Sequence, residues 1–141
     1  MRKNTGFTLI EVMIVLALIA IIAAIAIPNL IRAQIDKNER AAIYDMGSII
    51  SAEGTYKTAN SSFAVSLPQL TAGTVPYLAG NWSSPRKGYV FTIGGTAENY
   101  TVNADPTTPG TTGNRHFYAD KSGVIRSSIY PADAGSTPLD D

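Results

Sequence analysis

An apolar run from Phe7 to Ile27 constrains this chain more than any other feature of its sequence. As an α-helix the run would extend about 31 Å, close to the roughly 30 Å thickness of a bilayer's hydrocarbon core. Glu11 is its one charged residue, and an ionised carboxylate inside a membrane span costs roughly 2.5–3.5 kcal/mol. Because no Lys or Arg lies in the run, we expect the partner of Glu11 to belong to another molecule.

Composition limits what the remainder of the chain can be. The 141 residues leave room for one domain beside the apolar run. Eleven basic and eleven acidic residues balance, which argues against a polybasic nucleic-acid binder, so no nucleic-acid partner is predicted. There is no cysteine, His116 is the only histidine, and no serine-nucleophile motif is present. We therefore predict no catalytic activity, no metal site and no cofactor.

Two interpretations of the apolar run require no resemblance to a known family. A plain membrane anchor explains its length but leaves Glu11 unexplained. A secretory signal peptide fits Arg2 and Lys3 before the run and the A-x-A-like sequence of residues 24–26. The run is nevertheless longer than the expected apolar region of about 7–15 residues, and it carries a carboxylate. Basic residues flank the run on both sides, so their distribution does not decide its orientation.

The sequence around Gly6 resembles the N-terminal signal of prepilins. Residues 6–11 read Gly-Phe-Thr-Leu-Ile-Glu, with a basic stub before them and about 20 apolar residues after them. This pattern is similar to the signal shared by type IV pilins and the pseudopilins of type II secretion. The resemblance implies that a prepilin peptidase removes residues 1–6 as a leader and that the new amine of Phe7 is methylated. Pro28 falls where the family commonly has a helix-kinking proline.

The same resemblance assigns Glu11 to assembly, as the partner of the Phe7 amine of a neighbouring subunit. The predicted function is therefore a structural subunit of a type IV pilus, serving adhesion, motility or DNA uptake. Its partners would be identical subunits in a helical filament, the prepilin peptidase and the assembly machinery. It would lie in the bacterial inner membrane as a precursor and then in an extracellular pilus. The alternatives are a periplasmic pseudopilin of type II secretion, a minor tip pilin and an exported binding module.

Beyond Pro28 the periodicity predicts that the helix continues to about residue 58. A stripe with alternating spacings of four and three indicates one buried helix face. Its members are Ile35, Glu39, Ala42, Met46, Ile49, Glu53 and Tyr56. We therefore expect a helical spine over residues 7–58, whose first part, residues 7–27, spans the membrane.

The remaining sequence predicts a head over residues 59–130, followed by a flexible tail over residues 131–141. Strand patterns occupy residues 89–93, 100–104, 115–119 and 123–127. Gly94-Gly95 and the segment 120–123 are predicted hairpin turns, and residues 106–113 a flexible connection. The predicted fold class is α+β, with a four-stranded antiparallel sheet packed on the spine.

Two features of the head bear on its function. Trp82 is predicted to fill the gap between helix and sheet, and Arg86-Lys87 is predicted to be a solvated loop. Major pseudopilins of type II secretion carry a calcium site in an acidic loop with an Asp-Pro-Trp-type segment. Here Asp105-Pro106 is followed by Thr107, which argues against that subfamily.

Overall fold

The computed structural model describes residues 6–82 and 84–139, and the chain forms two compact units. Unit 1 comprises Met1–Ala33 and unit 2 comprises Gln34–Asp141. One helix, α1 (Leu9–Asn60), contributes to both units and ends close to the predicted residue 58. The α+β fold class is confirmed by this helix and the antiparallel sheet of unit 2.

Unit 1 is an apolar helix whose side chains are exposed. Its most apolar window of 18 residues has a mean hydropathy of 3.0, and none of that window is buried. By length and composition this part of α1 is able to cross a bilayer. Pro28 lies inside α1, which continues through it. The kink at Pro28 stays a prediction.

In unit 2 the predicted stripe of α1 faces the core. Ile35, Ala42, Met46 and Ile49 are buried, as expected for a helix that packs one face. Ala42, Met46 and Ile49 pack with the inward-facing side chains of the sheet, which include the fully buried Phe117. The stripe also buries the carboxylates of Glu39 and Glu53, each of which accepts a backbone amide from outside the helix.

Five antiparallel strands form the sheet, in the order β1-β2-β3-β4-β5. A short helix, α2 (Leu67–Thr71), precedes them. The strands are β1 (Tyr89–Thr96), β2 (Asn99–Pro106), β3 (His116–Asp120), β4 (Arg126–Ser128) and β5 (Thr137–Pro138).

The predicted count of four strands was wrong by one, because a two-residue strand carries no alternation of apolar and polar residues to detect. β5 forms inside the predicted tail, where Thr137 pairs with Ser127 and the Leu139 amide donates to Ile125 at 2.9 Å. The mobility of residues 131–141 stays a prediction.

The turn predicted at Gly94-Gly95 was wrong. Both glycines lie inside β1, opposite Thr101 and Tyr100, and the chain reverses two residues later between Thr96 and Asn99. Gly95 has a φ of 120°, and a Cβ there would collide with the Asn99 carbonyl. Glycine therefore allows close approach within the hairpin and does not form its turn.

Residues 106–113, predicted to be a flexible connection, are held by hydrogen bonds. The Thr107 amide and hydroxyl both donate to the Gly88 carbonyl, at 2.9 and 2.7 Å. The Asn38 side chain on α1 donates to the Thr112 carbonyl at 2.9 Å. Residues 106–113 have no large apolar side chain to bury, and backbone groups and threonine hydroxyls supply the contacts instead.

Glu53 is a carboxyl group buried in the core of unit 2. It is fully buried, and its Oε2 accepts the Ala64 amide at 2.9 Å. Within the described part of the chain its Oε1 has no hydrogen-bond partner. Burial raises the pKa of Glu53, and the bond from Ala64 offsets only part of that effect. The folded protein therefore retains this proton to a higher pH than the unfolded chain does.

Glu53→Gln should remove the part of the free energy of unfolding that is lost, in wild type, as the pH rises above the ordinary pKa of Glu53. The contribution of Glu53 to the free energy of unfolding is complete below its ordinary pKa of 4.5. It is lost as the pH rises through the raised pKa. Thermal unfolding of the full-length protein in detergent, measured from pH 4 to pH 8, should show the variant gaining stability over wild type as pH rises. The exposed Glu98→Gln is the matched control. A constant difference between Glu53→Gln and wild type across that range would contradict the prediction.

Candidate processing and assembly site

Thr8 and Glu11 cap the start of α1 reciprocally. The Thr8 amide and hydroxyl donate to Glu11 Oε2 at 2.8 and 2.7 Å. The Glu11 amide approaches the Thr8 hydroxyl oxygen at 3.3 Å, and the Val12 amide bonds the Thr8 carbonyl at 3.5 Å. This is a capping box, in which a residue before the helix and a carboxylate three positions later satisfy each other's backbone donors.

The capping box corrects the expectation that Glu11 has no partner in its own chain. It has hydrogen-bond donors, both on Thr8, although no cation lies within 4.0 Å of it among residues 6–82 and 84–139. The T-x-x-E pattern of residues 8–11 is the recognised sequence signature of such a cap. Thr8 is therefore a residue of the candidate site that the sequence analysis missed, although the T-x-x-E pattern that marks it is present in the sequence.

Only one carboxylate oxygen of Glu11 is used by the cap. Both bonds from Thr8 end at Oε2, and Oε1 accepts none from the described residues. Gly6 and Phe7 precede the helix in irregular backbone, and Phe7 is 84% exposed. The predicted cleavage position therefore lies just outside the helix, and an acceptor oxygen lies one turn into the helix beyond it.

In unit 2, Trp82 and the basic pair occupy structural positions. Trp82 is buried, meets Phe91 edge-on at 5.9 Å between ring centroids, and donates to the Ala79 carbonyl at 3.0 Å. Its predicted place between helix and sheet is confirmed. Arg86 Nε lies 2.8 Å from Asp45 Oδ2, and Lys87 Nζ lies 3.5 Å from the same oxygen. The prediction of a solvated loop was thus wrong for Arg86, which forms an ion pair with a buried carboxylate on α1.

His116 forms a polar pair and no catalytic arrangement. Its Nδ1 lies 2.6 Å from Asp105 Oδ1 on the neighbouring strand. Ser128 is paired with His116 across β3 and β4, but its hydroxyl accepts the Tyr130 amide. The residues that the structure describes contain no group of three or more His, Cys, Asp or Glu placed to hold a metal ion.

Comparison with known proteins shows what the N-terminal region is similar to. Residues 1–27 match the family model described as the prokaryotic N-terminal methylation motif. The chain is 38% identical over 63 residues to type II secretion system core protein G of Vibrio cholerae, covering 45% of this chain and 43% of that protein. It is 40% identical over 63 residues to the type IV wide pilus major component PilA4 of Thermus thermophilus, covering 45% and 48%. It is also 30% identical over 92 residues to core protein G of Escherichia coli, covering 62% of each chain.

The chain thus combines an apolar helix of membrane-spanning length, with a capped glutamate near its start, and an antiparallel sheet, in an α+β fold. Residues 1–27 carry the methylation motif, and the matched part of the chain is similar to a type IV pilus component and to type II secretion core proteins. The chain spans about half the length of the first two relatives. These relatives are named as components of a secretion system and of a pilus.

Proposed function

We propose that this chain is a structural subunit that polymerises into a type IV pilus after cleavage between Gly6 and Phe7. The observation that carries the proposal is the carboxylate of Glu11, half of which is unused, in an otherwise uncharged apolar helix. A group so unfavourable in lipid is retained where it has a function. The cap alone does not require the charge, because glutamine serves equally at that position.

The geometry of the cap supports pairing between subunits. Thr8 holds Oε2 and so fixes the carboxylate, which leaves Oε1 as an oriented acceptor. Cleavage at Gly6 creates a positive amine on Phe7, which is also unfavourable in lipid. Pairing the amine of one subunit with Glu11 of the next neutralises both charges, and removal of either leaves the other unpaired. Such a pair selects the axial register of the filament.

This pairing is consistent with a sequence of steps that leads from a membrane precursor to a filament. The precursor lies in the bacterial inner membrane with its basic stub on the cytoplasmic side, where a prepilin peptidase cleaves and methylates it. Assembly machinery then extrudes identical copies into an extracellular filament for adhesion, motility or DNA uptake. Glu11 and Phe7 are the assembly residues, Gly6 and Phe7 the processing residues, and Pro28 the position of a helix kink.

A pseudopilin of type II secretion is the second candidate. The match to core protein G of Escherichia coli extends over 92 residues and so beyond the N-terminal motif. The Asp105-Pro106-Thr107 sequence, which lacks the tryptophan of the calcium-loop pattern, favours the pilus. Abundance in filaments sheared from the cell surface distinguishes the two. A major pilin dominates that fraction, whereas a pseudopilin stays with the cell envelope.

Intact mass and N-terminal sequencing of the protein from its native membrane test the processing step. We expect a mature chain that begins with N-methylated Phe7, because the Gly6–Phe7 bond lies within residues 1–27, which match the N-terminal methylation motif. A chain beginning at Ile27 would identify a secretory signal peptide. An intact chain beginning at Met1 would identify a plain anchor. Either of these results would refute the proposal.

A further inference from the structure

A short segment, residues 61–66, connects the end of α1 to α2. It leaves the helix at Ser61, whose φ of 59° is left-handed and therefore uncommon for a residue other than glycine. The segment buries Phe63 and Ala64, while its other side chains are at least partly exposed. This covering segment, as it is called below, is therefore a thin layer of irregular backbone over the core of unit 2.

Few contacts hold the covering segment in place. The Phe63 amide donates to the Ala97 carbonyl at 2.9 Å, and the rings of Phe63 and Tyr100 lie 4.9 Å apart between centroids. The Ala64 amide donates to Glu53 Oε2 at 2.9 Å. Among the described residues this is the only hydrogen bond that joins the segment to a side chain of α1. The attachment of the covering segment to α1 thus depends on one carboxyl group.

The charged form of Glu53 has little to stabilise it in this position. The side chain is fully buried, its Oε1 accepts no hydrogen bond from the described residues, and no cation among them lies within 4.0 Å of it. A buried carboxylate with a single hydrogen bond is less favourable than the neutral acid, because it has lost its hydration. Ionisation of Glu53 therefore favours any arrangement that returns the carboxylate to water.

The titratable neighbours of Glu53 offer it one alternative partner. Tyr100 of β2 interacts with Glu53, but burial, the Glu53 charge and Asp120 of β3 raise the pKa of Tyr100 to about 12, so Tyr100 stays neutral. The covering segment and α2 carry no charged residue. On α1, Tyr56 and Lys57 follow Glu53 by three and four residues. A glutamate four residues before a lysine is the spacing that favours an ion pair on the surface of a helix.

Lys57 has a different partner while the covering segment is closed. Its Nζ lies 4.2 Å from the centroid of the Phe63 ring, which is a cation–π contact. Movement of Phe63 away from the core releases Lys57 and opens a path for Glu53 to the surface. Two arrangements therefore compete: Glu53 bonded to Ala64 with Lys57 over Phe63, or Glu53 in water beside Lys57.

We propose that Glu53 is a pH-sensitive switch: its neutral carboxyl holds the covering segment closed, and its ionisation releases the segment from α1. The carboxyl has its ordinary pKa of 4.5 in the open form, whereas burial raises its pKa in the closed form. Between these two pKa values, the equilibrium constant for opening rises by up to about tenfold per pH unit. The switch acts within one subunit and is independent of the proposed function.

Hydrogen exchange of the full-length protein in detergent, measured by mass spectrometry at pH 5 and pH 8, tests the switch. After correction for the intrinsic exchange rate at each pH, the protection of residues 61–66 should fall at least about tenfold from pH 5 to pH 8. Peptides from β2 should keep their protection, which separates local opening from global unfolding. Unchanged protection of residues 61–66, or an equal fall in β2, would overturn the inference.

Glu53→Gln isolates the effect of the charge. Glutamine retains an oxygen for the Ala64 amide and does not ionise, so residues 61–66 should be equally protected at pH 5 and pH 8. Glu98→Gln is the matched control, because it removes an exposed carboxylate next to Ala97, which accepts the Phe63 amide. It should behave as wild type. A fall in Glu53→Gln as large as in wild type would overturn the inference, and the wild-type measurement decides it alone if the variant does not fold.

Discussion

Glu11→Gln is expected to abolish filament assembly while the subunit still inserts in the membrane and is still cleaved. Glutamine keeps an acceptor for the Thr8 amide and hydroxyl, so the capping box survives. It removes the negative charge, however, and leaves the Phe7 amine of the neighbouring subunit unpaired in lipid. Loss of one member of such a pair costs about 3 kcal/mol or more, which corresponds to at least about a 100-fold loss of assembled filament.

Quantitative blotting of sheared filaments against the membrane fraction measures this effect. Thr8→Val is the matched control, because it weakens the cap by removing the hydroxyl while it retains the Glu11 charge. We expect it to cost about 1 kcal/mol of helix stability and to leave filaments abundant. If Glu11→Gln assembled normally and Thr8→Val did not, Glu11 would act only as a helix cap. The assembly role would then be wrong.

Glu39→Ala should be the most destabilising single substitution in the polar contacts of unit 2. Glu39 is 5% exposed, and its Oε1 accepts the amides of Asn114 and Arg115 at 2.8 and 3.2 Å. Its Oε2 accepts Arg115 Nε at 2.7 Å. Alanine leaves two amides without acceptors, each worth about 1–3 kcal/mol when buried. Because the Arg115 side chain is partly exposed, the ion pair adds less than a fully buried one. We expect a total loss of about 3 kcal/mol.

Chemical denaturation of the full-length protein in detergent, monitored through Trp82, measures this loss. Glu39→Gln retains Oε1 as an acceptor for the two amides and removes only the charge, so it should recover most of the stability. Asp36→Ala, an exposed carboxylate on the same helix, should change the free energy of unfolding by less than about 0.5 kcal/mol. Comparable losses of unfolding free energy from Glu39→Ala and Asp36→Ala would show that the loop containing Asn114 and Arg115 does not depend on Glu39.

Periodic features of this chain were predictable from its sequence. The stripe from Ile35 to Glu53 is buried as its spacing indicates, because a helix face repeats over many residues and each repeat adds signal. The centres of β1, β2 and β3 were also located correctly. The position of a hairpin turn depends on only one or two residues. Gly94 and Gly95 were therefore predicted to form the turn, although they lie inside β1.

Polar contacts between distant segments were not predictable. Glu39 lies in a stripe that looked merely amphipathic, and its partners are 75 and 76 residues away. No local pattern records such a pairing, so neither the buried carboxylates nor the hydrogen-bonded loop over residues 106–113 was foreseen. Thr8 differs, because its partner is three residues away and its pattern is local. The candidate site was therefore predictable in full, although only Gly6, Phe7 and Glu11 were identified.

The position of the capping box gives leader removal an electrostatic consequence. Thr8 directly precedes the first turn of α1, so the amine created on Phe7 lies at the positive end of the helix dipole, where a cation is disfavoured. The carboxylate that would relieve this in the same subunit is partly engaged with Thr8. The proposed cleavage would thus create an unpaired positive charge at the start of the helix, and pairing with Glu11 of a neighbouring subunit would neutralise that charge.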